Sequence, residues 1–166
     1  NLIDEIEHAI NEAQTMSGVN IENIALGISG EHIRGINTQG AIAIGGSQTS
    51  NVTLQNEIAS NDVKKVLDLA KAISLPIDRD ILHVLPQEYV IDTMNSIKDP
   101  VGLTGRRLEA KVHVITVATT AATNLVSCVE ELGIRVENII YQGLASSVST
   151  LNEDEKKLGS VCVDIG

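Results

Sequence analysis

Phe and Trp are absent from this chain of 166 residues, and Tyr, Cys and Pro are scarce at two, two and three copies. A core must therefore be built from Leu, Ile, Val and Ala, which favours layered packing of helices and strands over aromatic anchors. The same lack disfavours binding by base stacking. Bases are also in the minority, 12 against 22 acids, for a formal charge of −10. That balance leaves no broad electrostatic footprint for nucleic acid, and none is expected as a partner. Cys128 and Cys162 match no metal-ligand spacing and sit in apolar periodic stretches, so both are expected as buried small hydrophobes in a reducing compartment. No apolar run approaches the ~18 residues of a membrane span, and no secretion signal is visible. The reading is cytoplasmic, with no direct membrane contact. The chain begins inside a helical pattern without Met and stops at Asp164-Ile165-Gly166 inside a strand, so both ends read as cut.

What is present is unevenly distributed. Residues 1–27 carry five acids and no Lys or Arg, residues 28–112 ten acids against nine bases, and residues 113–166 seven against three. A nearly neutral body thus lies between two acidic flanks.

Hydrophobic periodicity gives the elements. Residues 2–16 read as a helix with Ile3, Ile6, Ile10 and Ala13 on one stripe and Gly18 as its stop. Ile24–Ile28 is strand-like, and Ile33–Ile44 continues as strand with Gly35 and Gly40 as interruptions. Residues 45–51 read as a polar loop, and Asn51-Val52-Thr53 matches a glycosylation pattern that a cytosolic chain would not use. Val63, Val66, Leu67, Ala70 and Ile73 fall at helical spacing behind the candidate N-caps Ser60 and Asn61, with Pro76 as the stop. Ile81–Ile91 is extended, and Pro86 marks it as an edge strand or a bulge. Residues 95–107 read as loop and Leu108–Ala118 as strand. Then come a helix capped by Thr119 or Thr120 and closed by Gly133, a strand at Val136–Tyr141, and a short helix at Leu144–Leu151. A capping box at Thr150–Glu153 and a strand at Ser160–Asp164 complete the series. Strand–helix–strand–helix–strand with short connections predicts a parallel α/β layer.

Few residues carry chemistry. His8, His32, His83 and His113 have no metal-ligand spacing and read as surface or core histidines. Gly27-Ile28-Ser29-Gly30 lacks the glycine-rich helix start of a nucleotide loop and reads as a strand-end turn. Ser146 and Ser147 have no visible base partner, which argues against nucleophilic catalysis. Lys98, Arg106, Arg107 and Lys111 form the one local basic cluster, either a solvated loop or an interaction surface. At the end of the chain, a strand closing in Asp-x-Gly can bring a carboxylate and a close backbone approach to phosphate.

The order of residues 112–166, with VHVITVA, IRVENIIYQGLASSVS and SVCVDIG, resembles the second phosphate loop of the actin-like ATPase superfamily. HVLPQEYVID (83–92), KDPVGLTGRRLEAKVHVIT (98–116), GLASS (143–147) and LNEDEKKLGSVCVDIG (151–166) narrow the resemblance to the FtsA family of bacterial cell division. It covers essentially the whole chain, with residues 45–56 longer than the family pattern. The resemblance implies an α/β fold carrying an α+β insert. Residues 1–27 and 112–159 would belong to actin-like subdomain 1A. Residues 28–111 would form an inserted subdomain (1C) of the SHS2, strand–helix–strand–strand type, and 160–166 would start the phosphate-2 strand of the next subdomain. It also implies a scaffold that, when whole, binds ATP with Mg, self-assembles and tethers FtsZ at the cytoplasmic face of the inner membrane at the division site. Only Asp164 and Gly166 match positions facing phosphate. No catalytic residue, metal site or cofactor is therefore expected in these residues, and the chain is read as a non-enzyme. FtsZ would be reached through regions elsewhere, whereas the insert would serve self-association and the recruitment of later division proteins. Gln87, Glu88, Tyr89, Arg106 and Arg107 are its candidate partner-binding residues. The alternatives left open are a fragment of an actin-like pilus-biogenesis scaffold and an ATPase or kinase fragment with its chemistry in the flanks.

Overall fold

A computed structural model describes residues 2–45 and 56–165, and the expectations for the loop at 45–51 and for Asn51 fall largely or wholly outside them. The elements in order are α1 (Leu2–Ser17), β1 (Asn23–Ile28), β2 (Ile33–Ala43), α2 (Ser60–Lys71), β3 (Arg79–Ile91) and β4 (Met94–Ile97). They continue with β5 (Arg107–Ala118), α3 (Thr119–Glu130), β6 (Arg135–Tyr141), α4 (Gln142–Thr150) and α5 (Glu153–Leu158). The chain divides into two compact units, residues 1–34, 78–82 and 117–166, and residues 35–77 and 83–116.

The second unit is the inner part of a four-stranded sheet ordered β2-β5-β3-β4, with α2 packed on one face. Its core is Ile44, Ile58, Val66, Ala70, Tyr89, Ile91, Leu108, Ala110, Val112 and Val114, the aliphatic set that the composition dictates plus one Tyr. On β5 the buried residues Leu108, Ala110, Val112 and Val114 alternate, so the odd positions face away from the helix. The even positions of β2 face α2: a Cβ at Gly40 would stand 2.5 Å from the Val66 carbonyl and 2.8 Å from the Ala70 amide. Gly40 does not interrupt the strand. It lets the helix lie against the sheet. Along β3 the alternation breaks: Val84 packs on the core, and so do Tyr89 and Ile91. The switch of parity falls on the stretch holding Pro86, where a bulge is expected. β4 pairs with β3 only at Tyr89↔Ile97 and Ile91↔Met94, so Pro86 also lies beyond the reach of β4.

Several local expectations are corrected. Residues 95–107 are not all loop, because β4 occupies part of them and Thr104 bridges to Glu57. Helix α2 starts after Ala59, not after Ser60 or Asn61. Asp62 replaces a capping side chain by accepting from the Ala59 amide at 3.2 Å. It ends at Lys71, five residues before Pro76.

In the first unit β1 and β6 pair in parallel from Asn23↔Arg135 to Ile28↔Tyr141. Ile28, Val117 and Ala122 form a small core with Ile33, Leu82, Leu125 and Ile139 around it. The expected parallel pairing is present, but its membership differs: β6 takes β1 as its neighbour, while β5 belongs to the other sheet. The N-cap of α3 is Ala118, not Thr119 or Thr120. The capping box sits two residues later than expected: Asn152 Oδ1 accepts from the amides of Asp154 and Glu155 at 3.0 and 2.9 Å, and Glu155 accepts from the Asn152 amide at 2.8 Å. Residues 160–165 are not a strand. A strand needs a hydrogen-bonded neighbour, and this stretch pairs with neither β1 nor β6. Cys128 is half-buried and Cys162 exposed, so neither is the buried hydrophobe expected.

Two substitutions measure the packing of the second unit. Gly40→Ala should cost about 1–3 kcal/mol by overpacking against the α2 backbone. Ile91→Ala, at a position with 0% exposure, should cost about 2–5 kcal/mol by leaving a cavity. Amide exchange of β5 in increasing urea reads both, and Gly40→Ala at wild-type stability would refute the close approach.

Candidate interaction surface

The sheet face away from α2 carries polar side chains from three strands. A groove of about 560 Å³ on it is lined by Asn37, Gln39, Gln87, Glu88, Lys98 and Lys111, among others. Lys111 donates to the Glu88 carboxylate at 2.5 Å, joining β5 to β3. Lys98 donates to the Gln87 carbonyl at 2.9 Å, and His113 Nδ1 lies 2.6 Å from Asn37 Oδ1. The groove is therefore a mosaic of paired charges and amides.

The ion pair fixes the titration of both partners. Glu88 is held below the ordinary carboxylate range, chiefly by its hydrogen bond from Lys111 and then by one from Ser96. Lys111 is raised by the same bond. The depressed carboxylate contributes stability above its ordinary pKa, and that contribution is lost as pH falls through the folded value. The raised ammonium contributes below its ordinary pKa and loses this as pH rises through the folded value. The pair is thus intact across neutral pH.

The structure separates the candidate residues. Gln87 and Glu88 line the groove with Lys98 and Lys111. Tyr89, expected at the surface, is a correction: it is 7% exposed, because it falls on the core parity after the break in β3. Burial, and the charge of Asp99, push its phenol up. Arg106 and Arg107 lie outside the groove, at a turn organised by Asp92. Asp92 has a positive φ of 52°, and its Oδ1 accepts from the amides of Arg106 and Arg107 at 3.1 and 2.9 Å. The Arg107 side chain is paired with Glu109 at 2.8 Å. Sequence reasoning missed the contribution of β2. Asn37 and Gln39 carry no charge, and nothing local links them to β3 or β5.

In the first unit, Asp164 Oδ2 accepts from Ser146 Oγ at 2.9 Å, while Gly166 lies outside the described residues. Ser146 thus has a carboxylate partner that its sequence neighbourhood did not show. Ser147 donates to the Leu144 carbonyl. Cys162 Sγ lies 3.9 Å from Thr150 Oγ1. Val161, Val163 and Ile165 are 88, 73 and 90% exposed, so only the alternate polar side chains of this stretch touch the fold. Among the described residues, no helix is long and apolar enough to cross a membrane.

A helix-backed antiparallel sheet with a polar open face, inserted between two stretches of a parallel α/β unit, defines an SHS2-type insert in an actin-like ATPase fold. The family model for the SHS2 domain inserted in FtsA matches residues 30–116. The chain is 44% identical over 164 residues to the cell division protein FtsA of Pseudomonas aeruginosa, covering 99% of this chain and 37% of that protein. It is 39% identical over 164 residues to the FtsA of Borreliella burgdorferi (99% and 38%). With the FtsA of Escherichia coli K12 it shares 41% over 161 residues (97% and 36%). The chain belongs to the FtsA family of cell-division proteins, and it spans a little over a third of the length of these relatives.

The Glu88–Lys111 pair gives a direct test. Carboxyl NMR should place the Glu88 midpoint below the usual value of about 4.3. In Lys111→Met it should rise towards that value, and a midpoint unmoved by the substitution would remove Lys111 as the chief cause.

Proposed function

We propose that these residues are a protein-interaction and self-assembly module of a bacterial division scaffold, with the SHS2-type insert as the working part. The observation that carries this reading is the groove on the open sheet face, which lies inside the family-matched residues and presents Gln87, Glu88, Lys98 and Lys111 together. Hydrogen-bonding groups and paired charges on a rigid sheet suit the reversible docking of a polar segment, giving specificity and register more than raw affinity. Residues 28–111 are assigned to the insert and residues 1–27 and 112–159 to the parent subdomain. ATP binding, the FtsZ tether and placement at the inner membrane belong to the same proposal for the whole scaffold.

In this reading the nucleotide is held by other parts of the scaffold. The Ser146 hydroxyl donates to the Asp164 carboxylate within these residues, which supports this reading.

Two measurements test the reading. Binding of purified cytoplasmic segments of later division proteins, followed by fluorescence anisotropy, should weaken about tenfold in Lys111→Glu, the effect of ~1.4 kcal/mol. Equal affinity for the variant would move the docking site off the groove. Calorimetry of the 166-residue chain with Mg-ATP should show no binding. Micromolar affinity would overturn the assignment of the nucleotide to other parts of the scaffold.

A further inference from the structure

Parallel α/β layers hold substrates and nucleotides beyond the carboxyl ends of their strands. In the first unit Ser146, on the helix that follows β6, meets Asp164 on that side. At the other end, where β1 and β6 begin, a cleft of about 230 Å³ opens between α1, the loop into β1 and the turn into β6. Pockets that enclose a cofactor or a drug-sized ligand measure about 300–1,000 Å³. This cleft is on the scale of one long side chain, and its place in the fold suits a partner better than a substrate.

Its lining says which side chain. Ile134, 7% exposed, and the half-buried Ile10, Ile21 and Leu132 make an apolar wall. The polar side is two carboxylates, Glu7 and Glu22, and three amides, Asn11, Gln14 and Asn20. Glu7, Asn11 and Gln14 share one stripe of α1, because residues four and seven apart stand above one another on a helix. Glu22 is fixed from β6: its carbonyl accepts from the Arg135 amide at 2.9 Å. Gly133, at φ 76°, turns α3 into β6, and a Cβ there would meet nothing within 4 Å, so the cleft is open on this side. Among the described residues no Lys or Arg lines the cleft, and Glu7 and Glu22 take part in no ion pair. Glu12, on the same helix, differs in lying 3.6 Å from His8. The unit around the cleft holds fifteen acids against five Lys and Arg.

The cleft thus combines unpaired acceptors, an apolar wall and a negative field. A guanidinium answers all three. It is always charged, presents five donors in a rigid plane, and is less strongly hydrated than an ammonium. The aliphatic stem that carries it covers apolar surface. Free arginine would bring its own carboxylate towards Glu7 and Glu22, whereas an arginine within a polypeptide has lost that charge. We propose that this cleft is a docking pocket for a single arginine side chain of a partner protein, with Glu7 and Glu22 receiving the guanidinium. Arginine is one of the residues that most often anchor protein interfaces. The pocket lies wholly in the first unit and does not depend on the groove of the second.

Amide NMR of the full chain, titrated with N-acetyl-arginine methylamide, should show saturable shifts centred on residues 10–14, 20–22 and 132–134. The citrulline analogue, of the same shape but uncharged, should bind at least about tenfold more weakly. The lysine analogue and free arginine should both bind more weakly than the blocked arginine. Glu7→Gln combined with Glu22→Gln should weaken arginine binding about tenfold. Equal binding of the citrulline or lysine analogue, shifts centred instead on the acidic stretch at 153–155, or a double variant that binds like the wild type would each overturn the pocket. Tighter binding of free arginine than of the blocked form would make it a small-molecule site and overturn the protein partner. The analogues are compared on the wild type, so the result stands even if the variant fails to fold. Lys111→Glu should bind the arginine probe as the wild type does, which keeps this pocket separable from the groove.

Discussion

The second unit depends on one carboxylate. Asp92 ends β3 in a left-handed conformation and receives the amides that open β5. The Asp92 amide in turn donates to the Arg107 carbonyl at 3.0 Å. Aspartate tolerates this backbone better than most residues, because its short side chain can satisfy nearby amides. With that corner set, the core residues Leu108, Ala110, Val112 and Val114 follow on one face of β5, and Lys111 and His113 on the other. The helix and the groove are both placed with reference to this central strand.

This corner joins two distant stretches of sequence that both lie within the family-matched residues. HVLPQEYVID ends on Asp92, and KDPVGLTGRRLEAKVHVIT contains the Arg106 and Arg107 amides that it holds. Gly105, within the second stretch, packs where a Cβ would stand 2.3 Å from Ile91 in the first. Residues chosen as contact candidates because they are charged thus owe their position to backbone duty. Their side chains are free to differ in role from the amides beside them.

The long periodic elements were legible, because burial of one face writes a period into the sequence. The helices α1 and α3 and the strands β2, β5 and β6 are of this kind. β4 was not legible: four residues, Met-Asn-Ser-Ile, form no pattern distinct from a loop. Caps were misplaced because Ser60, Asn61 and Thr119 are good capping types, yet the chain takes the extended conformation one residue or more earlier, at Ala59 and Ala118. The strand at Ser160–Asp164 shows the opposite failure. Its alternation is real, with Asp164 turned to Ser146 and Val161 and Val163 outward, but side-chain period alone does not supply a hydrogen-bonded neighbour. For the groove, Gln87, Glu88, Lys98 and Lys111 could be singled out by charge and motif, whereas Asn37 and Gln39 enter only through the pairing of β2 with β5.

Gly45 and Asn56 bring the chain back to within one side chain of where it left. Gly45 has φ +89°, a Cβ there would meet the Asn56 amide at 1.7 Å, and Asn56 Nδ2 donates to the Ile44 carbonyl at 3.1 Å. Just beyond, Gly105 donates to the Asn56 carbonyl at 3.1 Å and Ile58 to the Leu103 carbonyl at 2.8 Å. Residues 45 and 56 are therefore stapled to each other and to the turn before β5. Contacts among residues 44, 45, 56, 58, 103 and 105 thus hold the exit of β2 beside the approach to β5, and these described residues by themselves fix the register there.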